Sequence, residues 1–185
     1  GKQHAAGAPT QTAGESLALK APNDNIESYG SLESKGSMAL ATDLIVKNYG
    51  TLKVGSDLYV KAGVFSNQGK TSGGGGFKLD VSRLLNGSDS NSSARIESTQ
   101  GPGSTLSARS DVVNYGAIHT ADDLSISAKD IQNQSTGGIT SRGALNLSAA
   151  NSIDNRGALY AGGSALNLQA ATNNNFIGGT LEAAA

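Results

Sequence analysis

Two carboxylates have the spacing that acid–base chemistry would need. Asp111 and Asp130 each lie three residues before an Asn, Asn114 and Asn133, which marks the same point of a repeated pattern. If these points stack on each other, the two carboxyl groups lie side by side. Repulsion between them would raise one pKa, so that one group could act as acid and the other as base. Carboxylates stacked in this way would suit an enzyme that cleaves a polysaccharide.

The surroundings of this pair favour a solvated pair over a catalytic one. Arg109 and Lys129 are close enough in sequence to neutralise the two carboxylates. The equivalent position holds Ser152 in the next copy of the pattern and Val64 in an earlier one, so no third carboxylate joins the pair. We therefore expect an outward, solvated pair and no catalytic residue.

The other chemistry-bearing residues do not converge on a metal or cofactor site. His4 lies in the irregular start, and His119 stands alone, whereas a metal site needs several converging ligands. Asp89, between two serines, offers Ca²⁺ a single carboxylate. The glycines at 73–76 lack the Lys-Ser/Thr of a phosphate-binding loop, and the chain has no Cys. We expect no metal and no cofactor, and we keep Asp89 as a candidate ligand contact.

Composition excludes several classes of partner. The net charge is -1, from 14 basic and 15 acidic residues, and no basic run suggests binding to nucleic acid. No apolar stretch approaches the roughly 20 residues that span a bilayer, so we expect no membrane insertion of this segment. Aromatic residues make up only 4% of the chain. This inventory suits a thin aliphatic core that is filled in the same way many times.

An internal repeat organises the chain. Its consensus is L-x-L-x-A-x-x-x-I-x-N-x-G-x-L-x-S, with a period of 19 to 22 residues where the turns are short. The anchoring Asn residues are Asn48, Asn67, Asn86, Asn114, Asn133, Asn155 and Asn175. We expect these amides to stack as a hydrogen-bonded ladder, although a tolerated left-handed turn residue is the alternative. The Gly that follows is expected because a corner between strands often needs positive φ.

The alternation of apolar residues predicts the fold. Each copy holds three short runs of period 2, which indicate strands that cannot form a sheet within one copy but can stack on the next. The sequence therefore predicts an all-β, right-handed parallel β-helix of about eight coils, on the order of 40 Å long. A leucine-rich repeat has a similar period, but its L-x-x-L-x-L pattern and helical spacing are absent.

The repeat also sets the domain boundaries. Residues 1–13 are polar and non-periodic, and we expect a disordered start there, followed by a β-helix repeat domain over 14–185. Loop insertions are expected near 87–94 and 100–104, on an unbroken core. Tyr29, Tyr49 and Tyr115 share one outward position, where rings could hold a sugar face; packing on one another is the favoured hypothesis.

The repeat resembles that of the filamentous haemagglutinin family of two-partner secretion exoproteins, which includes the contact-dependent growth inhibition effectors. The resemblance rests on copies such as Gly143–Ala149 with Ile153–Leu159, and it covers roughly residues 14–183, although 70–110 departs from the pattern. It implies export through an outer-membrane transporter and a fibre on the bacterial cell surface. It also implies a role in adhesion or in the display of a terminal toxin, and through these a role in virulence.

Three functions are therefore candidates. The leading hypothesis is a structural rod segment of a secreted surface fibre used in adhesion or toxin delivery. The second is a binding module, in which the loop at 87–94 or the outward Tyr face meets a host glycan or a bacterial receptor. The third and weakest is a polysaccharide-active enzyme, because no cluster of carboxylates spans three coils.

Overall fold

The computed structural model describes residues 3–5, 11–163 and 165–184, and every helix or strand within them is a β-strand. In chain order the strands are β1 (Gln3–Ala5), β2 (Gln11–Ala13), β3 (Leu17–Lys20), β4 (Ile26–Ser28), β5 (Ser31–Ser34), β6 (Met38–Ala41), β7 (Ile45–Asn48), β8 (Thr51–Val54), β9 (Leu58–Asn67), β10 (Lys70–Gly73), β11 (Phe77–Asn86), β12 (Arg95–Ser98), β13 (Ser104–Ala108), β14 (Asp111–Asn114), β15 (Ala117–Thr120), β16 (Leu124–Asn133), β17 (Gly138–Ser141), β18 (Leu145–Asn155), β19 (Ala158–Ala161), β20 (Leu166–Gln169), β21 (Thr172–Asn175) and β22 (Thr180–Ala183).

The strands stack in two parallel sheets. One has 13 strands, and the other has nine, in the order β2-β5-β8-β10-β12-β15-β17-β19-β22. Neighbours in each sheet belong to successive copies of the repeat. Leu40, for example, pairs with Val60, and further along the same column Ile126 pairs with Leu147. The chain is thus a β-solenoid of about eight turns, which confirms the predicted fold class.

The core is a set of aliphatic columns that run along the solenoid axis. Period-2 alternation turns every second side chain inward, and Leu40, Leu79, Leu106 and Leu147 are each 1% exposed. Phe65 is the largest fully buried side chain. Coil after coil repeats one cross-section, and this repetition replaces the large aromatic core of a globular domain.

The middle of the chain keeps the register although its sequence departs from the repeat. Phe77 pairs with Leu58, and Leu106 pairs with Leu79. Ser104 takes the inward position that Leu124 fills in the next coil, and its Oγ accepts a hydrogen bond from the backbone N–H of Phe77 at 3.1 Å. The irregular pattern at 70–110 therefore reflects local substitutions inside a continuous core.

The first insertion is shorter than the sequence suggests. Gly87 and Ala94 are buried, and their backbones bond to neighbouring coils as ordinary corner residues do. Only residues 88–93 leave the coil, closed by the backbone pairing of Ser88 with Asn91. The second insertion is small. Residues 99–103, five in all, connect β12 to β13, whereas residues 74–76 connect the equivalent strands β10 and β11 of the previous coil.

Two short strands lie within the start that the sequence predicts to be disordered. Within residues 1–13, β1 pairs with β4 and β2 pairs with β5, both parallel. Backbone pairing to the next coil needs no apolar side chain, and disorder over residues 1–13 as a whole stays a prediction. Residues 1–2 and 6–10 lie outside the described residues.

The glycines of Asn-x-Gly have a different cause from the one predicted. Among the described residues, the only glycines with positive φ are Gly87, Gly101, Gly103 and Gly178. The corner glycine Gly50 instead lies against the carbonyl oxygen of Gly30, and Gly157 against that of Gly137. A Cβ would collide with these oxygens, so close approach of successive coils, and not left-handed backbone, requires Gly here.

Candidate functional site

A column of Asn side chains runs inside one corner of the solenoid. Each Nδ2 donates to Oδ1 of the Asn in the following coil, at 2.7 to 2.9 Å. The six bonds are Asn48–Asn67, Asn67–Asn86, Asn86–Asn114, Asn114–Asn133, Asn133–Asn155 and Asn155–Asn175. Each strand that precedes the corner ends at its Asn, with the side chain inward by period 2.

Each of the first six amides also holds a backbone carbonyl of a later coil. The second Nδ2 hydrogen of Asn67 is donated to the carbonyl oxygen of Arg95 at 2.9 Å, and that of Asn86 to Ala117 at 3.0 Å. Asn48 through Asn155 are at most 2% exposed, whereas Asn175 is exposed. Buried amides with both hydrogens used therefore join coil to coil along most of the solenoid.

The column begins with an unsatisfied atom. Asn48 Oδ1 is buried and has no hydrogen-bond partner among the described residues, because the preceding coil carries Ser28 in place of Asn. The Ser28 hydroxyl is 3.5 Å from the carbonyl oxygen of Gly30, within its own coil. A single buried acceptor is thus left without a donor at the point where the repeat loses its Asn.

Tyr29 and Tyr49 stack on each other outside the same corner. Their ring centroids are 4.8 Å apart and their planes differ by 11°. The facing sides of the two rings cover each other, so neither of these two sides is open to a sugar. Tyr29 donates a hydrogen bond to Glu27 Oε2 at 3.0 Å, and this bond raises the pKa of the Tyr29 phenol. Tyr115 is half-buried beside Gly87 instead of another ring.

Other members of this outward position were missed by the sequence analysis. The guanidinium of Arg156 lies 4.7 Å from the ring centroid of Phe176, and its Nη1 is 3.4 Å from Gln134 Oε1. Gln68 occupies the same position and donates to the Gly87 carbonyl at 3.0 Å. The available signal was that the residue after the anchoring Asn nearly always has a planar end group.

The structure brings Asp111 and Asp130 into register, and it gives each carboxylate other partners. Asp111 accepts from Ser110 Oγ at 2.7 Å and forms an ion pair with Arg83 at 3.3 Å. Asp130 accepts from Ser152 Oγ at 2.9 Å. The charges expected to neutralise the pair do not do so: Arg109 contacts Asp80 at 3.5 Å, and Lys129 makes no ion pair with a described residue.

The remaining candidates stay apart. His119 Nδ1 is 2.7 Å from Thr140 Oγ1 on the outer face, and the side chain of His4 lies outside the described part of the chain. Asp89 is exposed at the tip of the inserted loop, and the glycines at 73–76 form a corner against the preceding coil. In residues 3–5, 11–163 and 165–184, no three His, Asp or Glu residues are close enough to hold a metal ion.

These features define a β-solenoid repeat protein held together by an internal Asn column. A family model described as the haemagglutinin repeat matches residues 12–61, 57–114, 98–160 and 123–185, which together span most of the chain. The chain belongs to the haemagglutinin repeat family. Neither a curated protein nor a solved structure gives a significant match. Across the described ranges, no helix is long and apolar enough to cross a membrane.

Proposed function

We propose that this chain is a structural rod segment of a large secreted bacterial surface fibre used in adhesion or toxin delivery. The Asn column carries the proposal, since six bonds of almost equal length join successive coils from Asn48 to Asn175. Coils that are joined identically add length and stiffness without enclosing a reaction site. This is the architecture that a spacer in a fibre requires.

Membership of the repeat family supports the location. Haemagglutinin repeat proteins are generally secreted surface adhesins. We extend this to the chain as a proposal: it is exported by two-partner secretion through an outer-membrane transporter and is displayed at the bacterial cell surface. Use in contact-dependent growth inhibition or virulence belongs to the same proposal.

Duplication of one coil tests the rod proposal. Leu145 follows Ala144 and pairs with Leu124, so a second copy of residues 124–144 inserted after Ala144 adds one complete coil in register. The longer protein should fold, and small-angle X-ray scattering should show a maximum dimension longer by about 4.8 Å. As a matched control, inserting residues 124–143 leaves only two residues between a strand equivalent to β17 and the next strand, where every described connection of this kind has at least three, and should unfold the region. If both insertions unfold the protein alike, the coils are not modular and the proposal fails.

A binding role is the second proposal, and the inserted loop supports it. Asn91 Nδ2 donates to the Gln68 carbonyl at 2.7 Å and so fixes the loop against the previous coil, with Asp89 exposed at its tip. A loop anchored in this way presents its tip to a cell-surface glycan or protein receptor at low entropic cost. Deleting residues 88–93 should abolish attachment to target cells if this role is correct, while the fold persists.

The enzyme hypothesis is the weakest of the three. The haemagglutinin repeat is a structural adhesin repeat and not an enzyme family. The parent chain should not cleave polygalacturonate. Changing Asp111 and Asp130 together to Asn should therefore make no difference to the result. Cleavage by the parent chain that this double change abolishes would restore the hypothesis.

A further inference from the structure

Asn86 and Gly87 form the one Asn-Gly dipeptide of the chain. In such a dipeptide the backbone nitrogen of Gly can attack the side-chain amide of Asn, because Gly has no Cβ to hinder the approach. A bond forms between Gly87 N and Asn86 Cγ, and the side-chain nitrogen leaves as ammonia with the proton of the backbone N–H. Water then opens the cyclic imide at one carbonyl to give Asp or at the other to give isoaspartate. The reaction therefore needs no reagent except water.

The fold occupies every group that this reaction uses. Gly87 N–H donates to the carbonyl oxygen of Asn67 at 2.8 Å. Both Nδ2 hydrogens of Asn86 are donated, to Asn114 Oδ1 at 2.8 Å and to the carbonyl oxygen of Ala117 at 3.0 Å. Asn86 Oδ1 accepts from Asn67 Nδ2 at 2.8 Å, and the side chain is fully buried at the end of strand β11. The attack requires this side chain to leave the column, so the coil must open first.

The inserted loop explains why the reactive dipeptide stands in this coil. In every other coil of the column, a residue with a side chain follows the Asn. Here Gly87 follows, with a positive φ of 79°, and an added Cβ would lie 2.5 Å from the carbonyl oxygen of Asn91. The entry into the loop therefore requires Gly directly after Asn86. The column holds inert a dipeptide that the loop imposes.

Either product of the reaction would break the column. An Asp in place of Asn86 has no hydrogen to donate, so Asn114 Oδ1 and the carbonyl oxygen of Ala117 would lose their donor and face a buried carboxylate. Isoaspartate also adds a methylene carbon to the main chain, which shifts the positions that pair with the neighbouring coils. A modified chain therefore cannot rebuild the column at this coil.

We propose that Asn86 with Gly87 is a latent modification site. The column keeps the site inert in the folded solenoid, and the site converts to Asp or isoaspartate when its coil opens. Water does not reverse the loss of ammonia, so the conversion makes a reversible opening permanent. The proposal goes beyond the rod role, because it gives the column a second task, the protection of the covalent structure of the chain.

An exposed copy of the dipeptide is the matched control. Asp89→Asn combined with Ser90→Gly places Asn-Gly at the exposed tip of the inserted loop. Trypsin cleavage after Arg83 and Arg95 releases both dipeptides in one peptide, and fragmentation in the mass spectrometer distinguishes them. Both sites should convert at similar rates in denaturant at mildly alkaline pH. In the folded chain, Asn86 should convert at least about a hundredfold more slowly than the exposed copy.

The parent chain provides the same comparison of folded and denatured protein for Asn86 without the substitutions at the tip. Refolding then tests the consequence. After partial conversion in denaturant, the variant is returned to native buffer, and size-exclusion chromatography separates folded from unfolded chains. Chains modified at Asn86 should be depleted at least about tenfold from the folded fraction, whereas chains modified at the tip should refold like unmodified ones.

Two results would overturn the proposal. One is conversion of Asn86 in the folded protein as fast as conversion of the exposed copy, because the column would then give no protection. The other is equal refolding of chains modified at Asn86 and of chains modified at the tip, because the modification would then leave the column able to form. Neither result bears on the coil-duplication test of the rod.

Discussion

Asn67 Nδ2 donates a 2.8 Å hydrogen bond to Oδ1 of Asn86, nineteen residues further along the chain, and both side chains are fully buried. Asn67→Ala should break this bond and leave neighbouring amide groups without partners. We expect the free energy of unfolding to fall by about 1–3 kcal/mol. Asn175→Ala, at the exposed end of the column, should cost clearly less. Urea unfolding followed by circular dichroism measures both, and equal costs would contradict an energetic role for burial in the column.

Ser28 offers the reverse test. An Asn at this position can donate Nδ2 to the unsatisfied Oδ1 of Asn48 and extend the column by one coil. Ser28→Asn should therefore stabilise the chain by roughly 1 kcal/mol. Ser28→Ala, which supplies no donor, should give no such gain. The same urea unfolding compares the two variants, and a loss of stability in Ser28→Asn would show that the column does not extend there.

Two glycines test whether close approach of successive coils or turn conformation is the reason for Gly at the corners. An added Cβ at Gly157 would collide with the carbonyl oxygen of Gly137, whereas at Gly138 it meets no atom within 4 Å. Gly157→Ala should cost about 1–3 kcal/mol of unfolding free energy. Gly138→Ala should be neutral or slightly stabilising, since it only reduces the freedom of the unfolded chain. Thermal melts of the two variants that shift equally would refute the close-approach explanation.

The sequence predicts the fold well because a repeat states its pattern many times. Inward apolar residues such as Leu145 and Leu147 alternate with outward residues in every regular copy. The structure confirms a β-solenoid of about eight turns. The boundary of the inserted loop was harder to predict from the sequence, because Gly87 and Ala94 have the residue types of a loop although neighbouring coils bury them. Local composition does not reveal how a backbone is covered from above and below.

The surface features were predictable only in part. The alignment of Tyr29 with Tyr49 was visible in the spacing, but the face that each ring covers depends on rotamers.

The Tyr29 phenol gives a prediction about pH. Its hydrogen bond to Glu27 raises its pKa above the ordinary value of about 10. The associated stability is thus present below that value and is lost as the pH rises through the folded-state pKa. NMR of ¹³Cζ-labelled tyrosine should show late ionisation of Tyr29, and Glu27→Gln should bring it earlier. An unchanged midpoint in Glu27→Gln would remove the carboxylate as the cause.

The central claim is that stability comes from coil stacking and that the loop is dispensable to the rod. Leu40 and Leu147 are inward side chains of one column in different coils, each 1% exposed. Deleting 88–93 joins Gly87 to Ala94 and restores the length of the Asn67–Lys70 corner.

Denaturant unfolding of these three variants is therefore the most direct test. Leu40→Ala and Leu147→Ala should each lower the free energy of unfolding by about 2–5 kcal/mol. The loop deletion should change it by less than about 1 kcal/mol, because loop length contributes little entropy and few bonds are lost. A deletion that unfolds the chain while both Leu variants keep the parent's stability would contradict the account.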